Sequence, residues 1–432
     1  MFRFVPLFAL VCCFTAASPS PSVAAELVLE KVPPLTVEQA PAYPENLARY
    51  ESGAQVEAAP QSNPISTLRL SSKSEDLNTA EAALLCGDPT IGYPLENGTT
   101  TLLVSLAKVE NIDSISFINR GAKGEVTIAT SNAKLPADSP EWKEVAHQEL
   151  SLEAVKAAIG PSEAKYVRLT FNTTEPGRIA DLGIYSTPTI AAFAMPRSRK
   201  PAPEESEGFA LVSNNLTDVH AKARAAYVSS GDDPKLANNA IDDQPSTSYN
   251  FAPSDSAPTA VIDLGKMTKL RRISALYSPA HGTLDFYVLK SLPGAKEGTS
   301  PSDLKLDEAS LAGLHPVGSV TDEGTGRAAV DFPETAGRYV MVKWTPAEPG
   351  KPFSISEIAA FGGGRPENLI ASRENAAQGV AEERTILEGK DFKDLGEGKE
   401  MPEEGPPAEG PPSELPNPPP FVFVPEVLPQ SP

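Results

Sequence analysis

The chain has 432 residues, 22 % of them charged and 6 % aromatic, with 44 prolines against 30 glycines and a formal charge of −20. That length allows two or three domains. An acidic balance of this size lacks the basic footprint that nucleic acid or an anionic membrane surface requires, so neither is expected as a partner.

Met1-Phe2-Arg3, the apolar run from Phe4 to Phe14 and the small residues up to Val23-Ala24-Ala25 read as a secretory signal peptide cleaved after Ala25. The run falls short of a membrane span, and Val11-Cys12-Cys13 lacks the spacing of a lipid-attachment site. The expected location is therefore secreted or periplasmic, with no membrane insertion after cleavage. Cleavage leaves Cys86 as the one thiol, so no internal disulfide can form and Cys86 reads as a small buried hydrophobe. Asn97, Asn172 and Asn215 open glycosylation sequons, which count only in a eukaryote.

Residues 26–66 are rich in Pro, Ala, Glu and Gln without a sustained apolar period, and read as a disordered leader with local pairing at Leu27-Val28-Leu29. Then the chain repeats itself. Leu85-Cys86-Gly87-Asp88-Pro89-Thr90-Ile91-Gly92-Tyr93 aligns without a gap on Ile241-Asp242-Asp243-Gln244-Pro245-Ser246-Thr247-Ser248-Tyr249. Leu102 to Lys108 answers to Ala260 to Lys266, and Lys165 to Phe171 answers to Arg338 to Trp344. Three matches in one order at long separations indicate a duplicated domain, not a short solenoid repeat. The first copy is placed at 67–192 and the second at 208–364, joined by a stiff charged linker at 193–207.

Within each copy the local signals are strands: Ser114 to Ile118 and Gly124 to Ala129 in the first, Arg272 to Tyr277 and Thr283 to Leu289 in the second. Only Leu152 to Ile159 and Leu304 to Ala312 read as helical. Many strands separated by Gly, Pro, Asn and Asp turns predict an all-β chain of two tandem antiparallel β-sandwiches. Residues 365–432 form an acidic, Pro-rich tail, weakly helical in character from Arg365 to Lys399, whose stretch from Met401 to Pro432 cannot build a core. Its apolar island Phe421 to Val424 is either incidental or a docking motif.

Asn239-Ala240-Ile241-Asp242-Asp243-Gln244-Pro245-Ser246-Thr247-Ser248-Tyr249 resembles the opening signature of discoidin domains, the coagulation factor V/VIII type C or galactose-binding-like domains. Asp263-Leu264-Gly265, Arg338-Tyr339-Val340 and the closing Ile355 to Gly362 match later landmarks of that family in order. The resemblance covers nearly all of the second copy and, through the duplication, the first. It implies jelly-roll sandwiches whose end loops bind sugars, phospholipid headgroups or proteins. It also implies a structural calcium in the second copy, held by Asp242, Thr247 and Glu357 with nearby carbonyls. Calcium takes about six to eight hard oxygens, which such a loop supplies. The alternative for Asp242 and Thr247 is ordinary turn hydrogen bonding. Asp243 stands where the family has a glycine suited to a left-handed turn. In the first copy the corresponding residues are Cys86, Ile91 and Asp181, so that copy is expected to be metal-free and filled by apolar packing.

Phe251, His281 and Arg327 are the candidate ligand contacts, while Tyr249 and Trp344 are assigned to the core. No nucleophile elbow, His-Glu-x-x-His or glycine-rich phosphate loop is present, so no enzyme activity is expected. Two readings follow: a non-catalytic protein recognising a glycan through the second sandwich, or a scaffolding component binding protein ligands through the sandwiches and tail.

Overall fold

The computed structural model describes residues 27–59, 80–188, 215–295, 304 and 306–362. The signal peptide, the linker and the Pro-rich tail read from the sequence lie outside the described residues. Sixteen strands follow in chain order: β1 (Val28–Lys31), β2 (Gln55–Ala58), β3 (Gly92–Leu95), β4 (Gly98–Arg120), β5 (Lys123–Ser131), β6 (Lys143–Glu149), β7 (Ala154–Glu175) and β8 (Gly177–Ser186). Then come β9 (Arg224–Val228), β10 (Tyr249–Phe251), β11 (Thr259–Tyr277), β12 (His281–Leu289), β13 (Leu306–Asp307), β14 (Gly318–Glu323), β15 (Arg327–Pro346) and β16 (Phe353–Phe361).

All pairings are antiparallel, and each copy folds its strands into two layers. In the first, the N-terminal half of β4 and the C-terminal half of β7 run with β2, β5 and β6. The other halves of β4 and β7 run with β8, which in turn pairs β3. The long strands cross between layers at register shifts, Ser105 to Glu110 and Ile112 to Ser114, because an irregularity lets a strand bend and switch sheets. The second copy repeats this plan with β11 and β15 as the shared long strands and β9, β10, β12, β14 and β16 around them.

The registers reproduce the sequence repeat residue by residue. Val104 faces Val167 as Ile262 faces Val340, and Tyr93 faces Ile179 as Tyr249 faces Ile355. Alternation explains the sidedness: Leu102, Val104 and Leu106 are buried while Leu103 and Ser105 between them are not. The first core centres on Phe117 and Phe171, edge to face at 5.6 Å. The second centres on Trp344, stacked on Phe353 at 4.8 Å and beside Tyr277 at 5.4 Å. Tyr249 and Trp344 are core residues, as their sequence positions require.

The leader expectation is corrected for residues 27–58, which are ordered and shared between the copies. β1 pairs β9 and β13 of the second copy, and Val32, Ala40 and Tyr43 pack into its core. Leu47, Ala48 and Ala54 pack into the first core, and β2 completes its sheet. The segment lacks a local apolar period because the surfaces it covers come from far along the chain. The helix read at Leu152 to Ile159 is also corrected: residues 154–159 open β7, where Val155 and Ala157 alternate with outward Lys156 and Ala158. The other helical segment shrinks to one turn, Glu308–Leu311, capped by Asp307.

Gly124 combines a left-handed φ of 131° with a position where a Cβ would overlap the Asn172 carbonyl oxygen. Gly124→Ala is expected to cost about 1–3 kcal/mol through strain and overpacking, read as a lowered urea midpoint. An unchanged midpoint would mean that β5 can move away from β7 there.

Candidate functional site

The loop that follows the 3-10 turn Pro234–Ala240 carries Asp242 to Thr247 between β9 and β10. Asp243 sits at φ 60°, the left-handed conformation that Gly87 adopts at the matching position with φ 70°. Asp tolerates that region better than most residues. Here its side chain also has a bound partner, Arg49.

The left-handed turn swings the Asp243 N–H toward β16, where it donates to Glu357 Oε2 at 3.0 Å. Asp242 Oδ1 accepts from Gln244 N at 3.1 Å, and Oδ2 accepts from Gln244 Nε2 at 3.0 Å. Thr247 Oγ1 lies 2.9 and 2.8 Å from the two Asp242 oxygens and 3.0 Å from the Gln244 carbonyl. A hydroxyl has one proton to give, so this oxygen crowd contains more acceptors than donors. Glu357 is fully buried, and its Oε1 has no hydrogen-bond partner. Burial pushes the Asp242 carboxyl well above the usual carboxylate range; burial, then Asp243 and Asp242, does the same to Glu357.

Asp242 and Thr247 are bonded to each other and Glu357 reaches the same turn through the Asp243 amide; the oxygens are of the hard type that calcium takes. Among the described residues no three His, Cys, Asp or Glu side chains are grouped for a metal. The set here has two carboxylates and must draw on hydroxyl and carbonyl oxygens as well.

Asp243 also faces the first copy. The Arg49 guanidinium grips its carboxylate with Nε at 2.8 Å and with Nη2. The same guanidinium reaches Asp181 Oδ1 at 2.5 Å and the Leu182 carbonyl at 2.7 Å. Tyr185 Oη donates to the Asp243 carbonyl at 2.8 Å. Burial raises the Asp243 carboxyl to about 7 against the pull of Arg49.

A second pair crosses the same boundary in the opposite sense. Arg272 on β11 donates to Asp88 at 2.7 Å and Thr90 Oγ1 at 2.9 Å in the first copy, and to Asp331 at 2.9 Å in its own. Ile118 and Ala180 pack against Leu276, further along β11. In the first copy Cys86 and Ile91 are buried, at 4 % and 5 % exposure, and burial followed by Asp88 pushes the Cys86 thiol up to about 12.

The three candidate ligand contacts separate. Phe251 is buried at 4 % exposure between Tyr249 and Phe353, so the expectation of a ligand contact there is corrected: its ring closes the second core. His281 is exposed at the start of β12. Arg327 reaches a cleft of about 680 Å³ formed mainly by the first copy's loops, Asn119–Gly124 and Glu149–Glu153. His281 and Lys123 hold matching places in the two copies, since Leu284 opposite Trp344 corresponds to Val126 opposite Phe171.

Sequence reasoning missed Arg49, Asp88 and Arg272. A faint signal existed for the first, since Asn46-Leu47 is echoed by Asn215-Leu216, but two residues are too few to align.

No protein-family model matches the chain, and no curated protein matches it in sequence; the likenesses are to solved structures. A serum fucolectin from striped bass (Morone saxatilis) is 15 % identical over 74 % of this chain and 98 % of its own, with a TM-score of 0.25. Chitosan-binding module 1 of a chitosanase/glucanase from Paenibacillus sp. IK-5 is 17 % identical over 34 % of this chain and 99 % of its own, TM-score 0.28. Allantoicase from Saccharomyces cerevisiae is 12 % identical over 78 % of this chain and 100 % of its own, TM-score 0.26. The strand order here defines tandem antiparallel β-sandwiches. No helix among the described residues is long and apolar enough to cross a membrane.

Proposed function

We propose that the chain is a non-catalytic, extracytoplasmic binding protein whose ligand is a carbohydrate, held at the cleft where Arg327 of the second copy meets the loops of the first. The observation that carries the reading is that cleft. Its volume of about 680 Å³ suits a small saccharide. Its cations are largely committed: Arg120 donates to the Pro89 and Thr90 carbonyls, and Lys123 pairs with Glu175. Arg327, Glu149 and Glu153 line the cleft together, so the lining is close to charge-balanced and suits a neutral polyol better than an anion. Leu152, 67 % exposed at the rim, offers an apolar face for a sugar ring. A fucolectin and a chitosan-binding module are among the similar structures.

Calcium is part of the same proposal. Asp242, Thr247 and Glu357 would hold the ion, with carbonyl oxygens such as that of Gln244. Its role would be structural: it would neutralise the buried carboxylates and tie the loop before β10 to β16.

A glycan array probed with the mature chain, in calcium and in chelator, tests the reading. One neutral sugar class is expected to give signal, and Arg327→Ala and Leu152→Ser to weaken it at least several-fold. Silence from a folded, monodisperse sample would favour a protein ligand instead.

A further inference from the structure

The first copy carries a basic residue where the second carries an acidic one, and that exchange has a chemical purpose. Leu47 N donates to the Ile184 carbonyl at 2.7 Å, as Leu216 N donates to Ala360 at 2.8 Å. Asn46 Oδ1 accepts from the Ala48 and Ile184 amides at 3.0 and 3.1 Å. Asn215 Oδ1 accepts from Thr217 and Ala360 at 3.1 and 3.2 Å. The two tetrapeptides therefore occupy the same place in their sandwiches, and Arg49 in one is Asp218 in the other.

Strand register equates Asp181 with Glu357, because Tyr93–Ile179 and Tyr249–Ile355 are matching pairs. Around Glu357 stand Asp242, Asp243 and Asp218 of its own copy and Asp181 of the first, and the guanidinium that grips Asp243, that of Arg49, comes from the other copy. Beside Asp181 stands the Arg49 guanidinium, only 1 % exposed. A Cβ added at Gly87 would meet Arg49 Nε at 3.1 Å, so the side chain fills the hollow over the first copy's left-handed turn.

We propose that Arg49 is the resident cation of the first copy, standing where a divalent ion stands in the second. By gripping Asp243 it also locks the two copies into one cooperative unit. The first half of this parallel rests on the calcium reading of the second copy; the lock does not. A guanidinium can do both because its fork donates to two carboxylates and a carbonyl at once, which a spherical ion held within one loop cannot do across a boundary. The Asp243 amide donates to Glu357, so Arg49 also positions a candidate metal ligand from the far side of the boundary.

The chain provides its own reporters, since its two tryptophans, Trp142 and Trp344, fall one in each copy. In full-length Trp142→Phe and Trp344→Phe backgrounds, urea unfolding followed by the remaining tryptophan reports each copy separately. The two curves are expected to coincide when Arg49 is present. With Arg49→Met they are expected to separate, the first copy unfolding at lower urea. If that variant does not fold, Arg49→Met/Asp181→Asn/Asp243→Asn removes the stranded charges and is expected to fold with the curves still apart. Coincident curves in the variants, or separate curves with Arg49 intact, would overturn the lock. Calcium added to the uncoupled variant that keeps Asp243 is expected to shift the Trp344 curve alone. A shift of the Trp142 curve would overturn the resident-cation assignment. No shift in either would remove the calcium reading and leave the lock standing.

Discussion

Replacing Arg272 with methionine is expected to destabilise the protein by about 3–5 kcal/mol, the usual consequence of stranding one member of a buried ion pair. Asp88 is 2 % exposed and accepts from Arg272 at 2.7 Å; without that cation, Thr90 is left to satisfy a buried charge. The double variant Arg272→Met/Asp88→Asn is expected to recover much of the loss, because the penalty lies in the unpaired charge and not in the missing attraction. Urea midpoints of the three proteins decide it, and an Arg272→Met protein as stable as wild type would show that the boundary opens to water.

The same pair gives a pH signature. Burial acts to raise the Asp88 carboxyl, but Arg272 and Thr90 outweigh it and hold the group below its usual range. The folded protein therefore binds this proton less readily than the unfolded chain. The stabilisation is fully present above the ordinary carboxylate range and is lost as pH falls through the lowered folded value. The stability gap between wild type and Asp88→Asn is thus expected to be constant near neutrality and to shrink below about pH 4.

Calcium is expected to stabilise the protein by about 2.7 kcal/mol when present at 100 times its dissociation constant, since it binds the folded form alone. Melting in calcium and in chelator reads this directly. Asp242→Ala and Glu357→Gln are expected to abolish the calcium-dependent part. Glu357→Gln is the sharper variant, because an amide can still accept from the Asp243 N–H while lacking the charge. A wild-type protein that melts identically in both buffers would reduce Asp242 and Thr247 to turn-forming residues.

Much of the architecture was legible because a sandwich writes itself locally. Alternating burial in Leu102 to Leu106 and the turn residues between strands follow from nearest-neighbour chemistry, and the duplication supplied the long central strands twice. The Asp242–Thr247 turn was legible too, as the turn hydrogen bonding that the sequence offered as an alternative to a metal site. Phe251 was misjudged because an aromatic near a loop looks the same whether it faces a sugar or a core. Residues 152–159 looked helical over too short a window for the period to declare itself.

What the sequence determined by itself is the repeated β pattern, the apolar substitutions Cys86 and Ile91, and the acidic character of the second copy's loop. The tertiary structure alone decided that residues 27–58 serve both copies. It also decided that Arg49 and Arg272 cross between them, and that Arg327 reaches a cleft built mostly by the other sandwich. The physical reason is range. Strand periodicity acts over a few residues, whereas Arg49 meets Asp243 across 194 residues of chain. A charge that close to its partner is invisible until the fold has brought the two together.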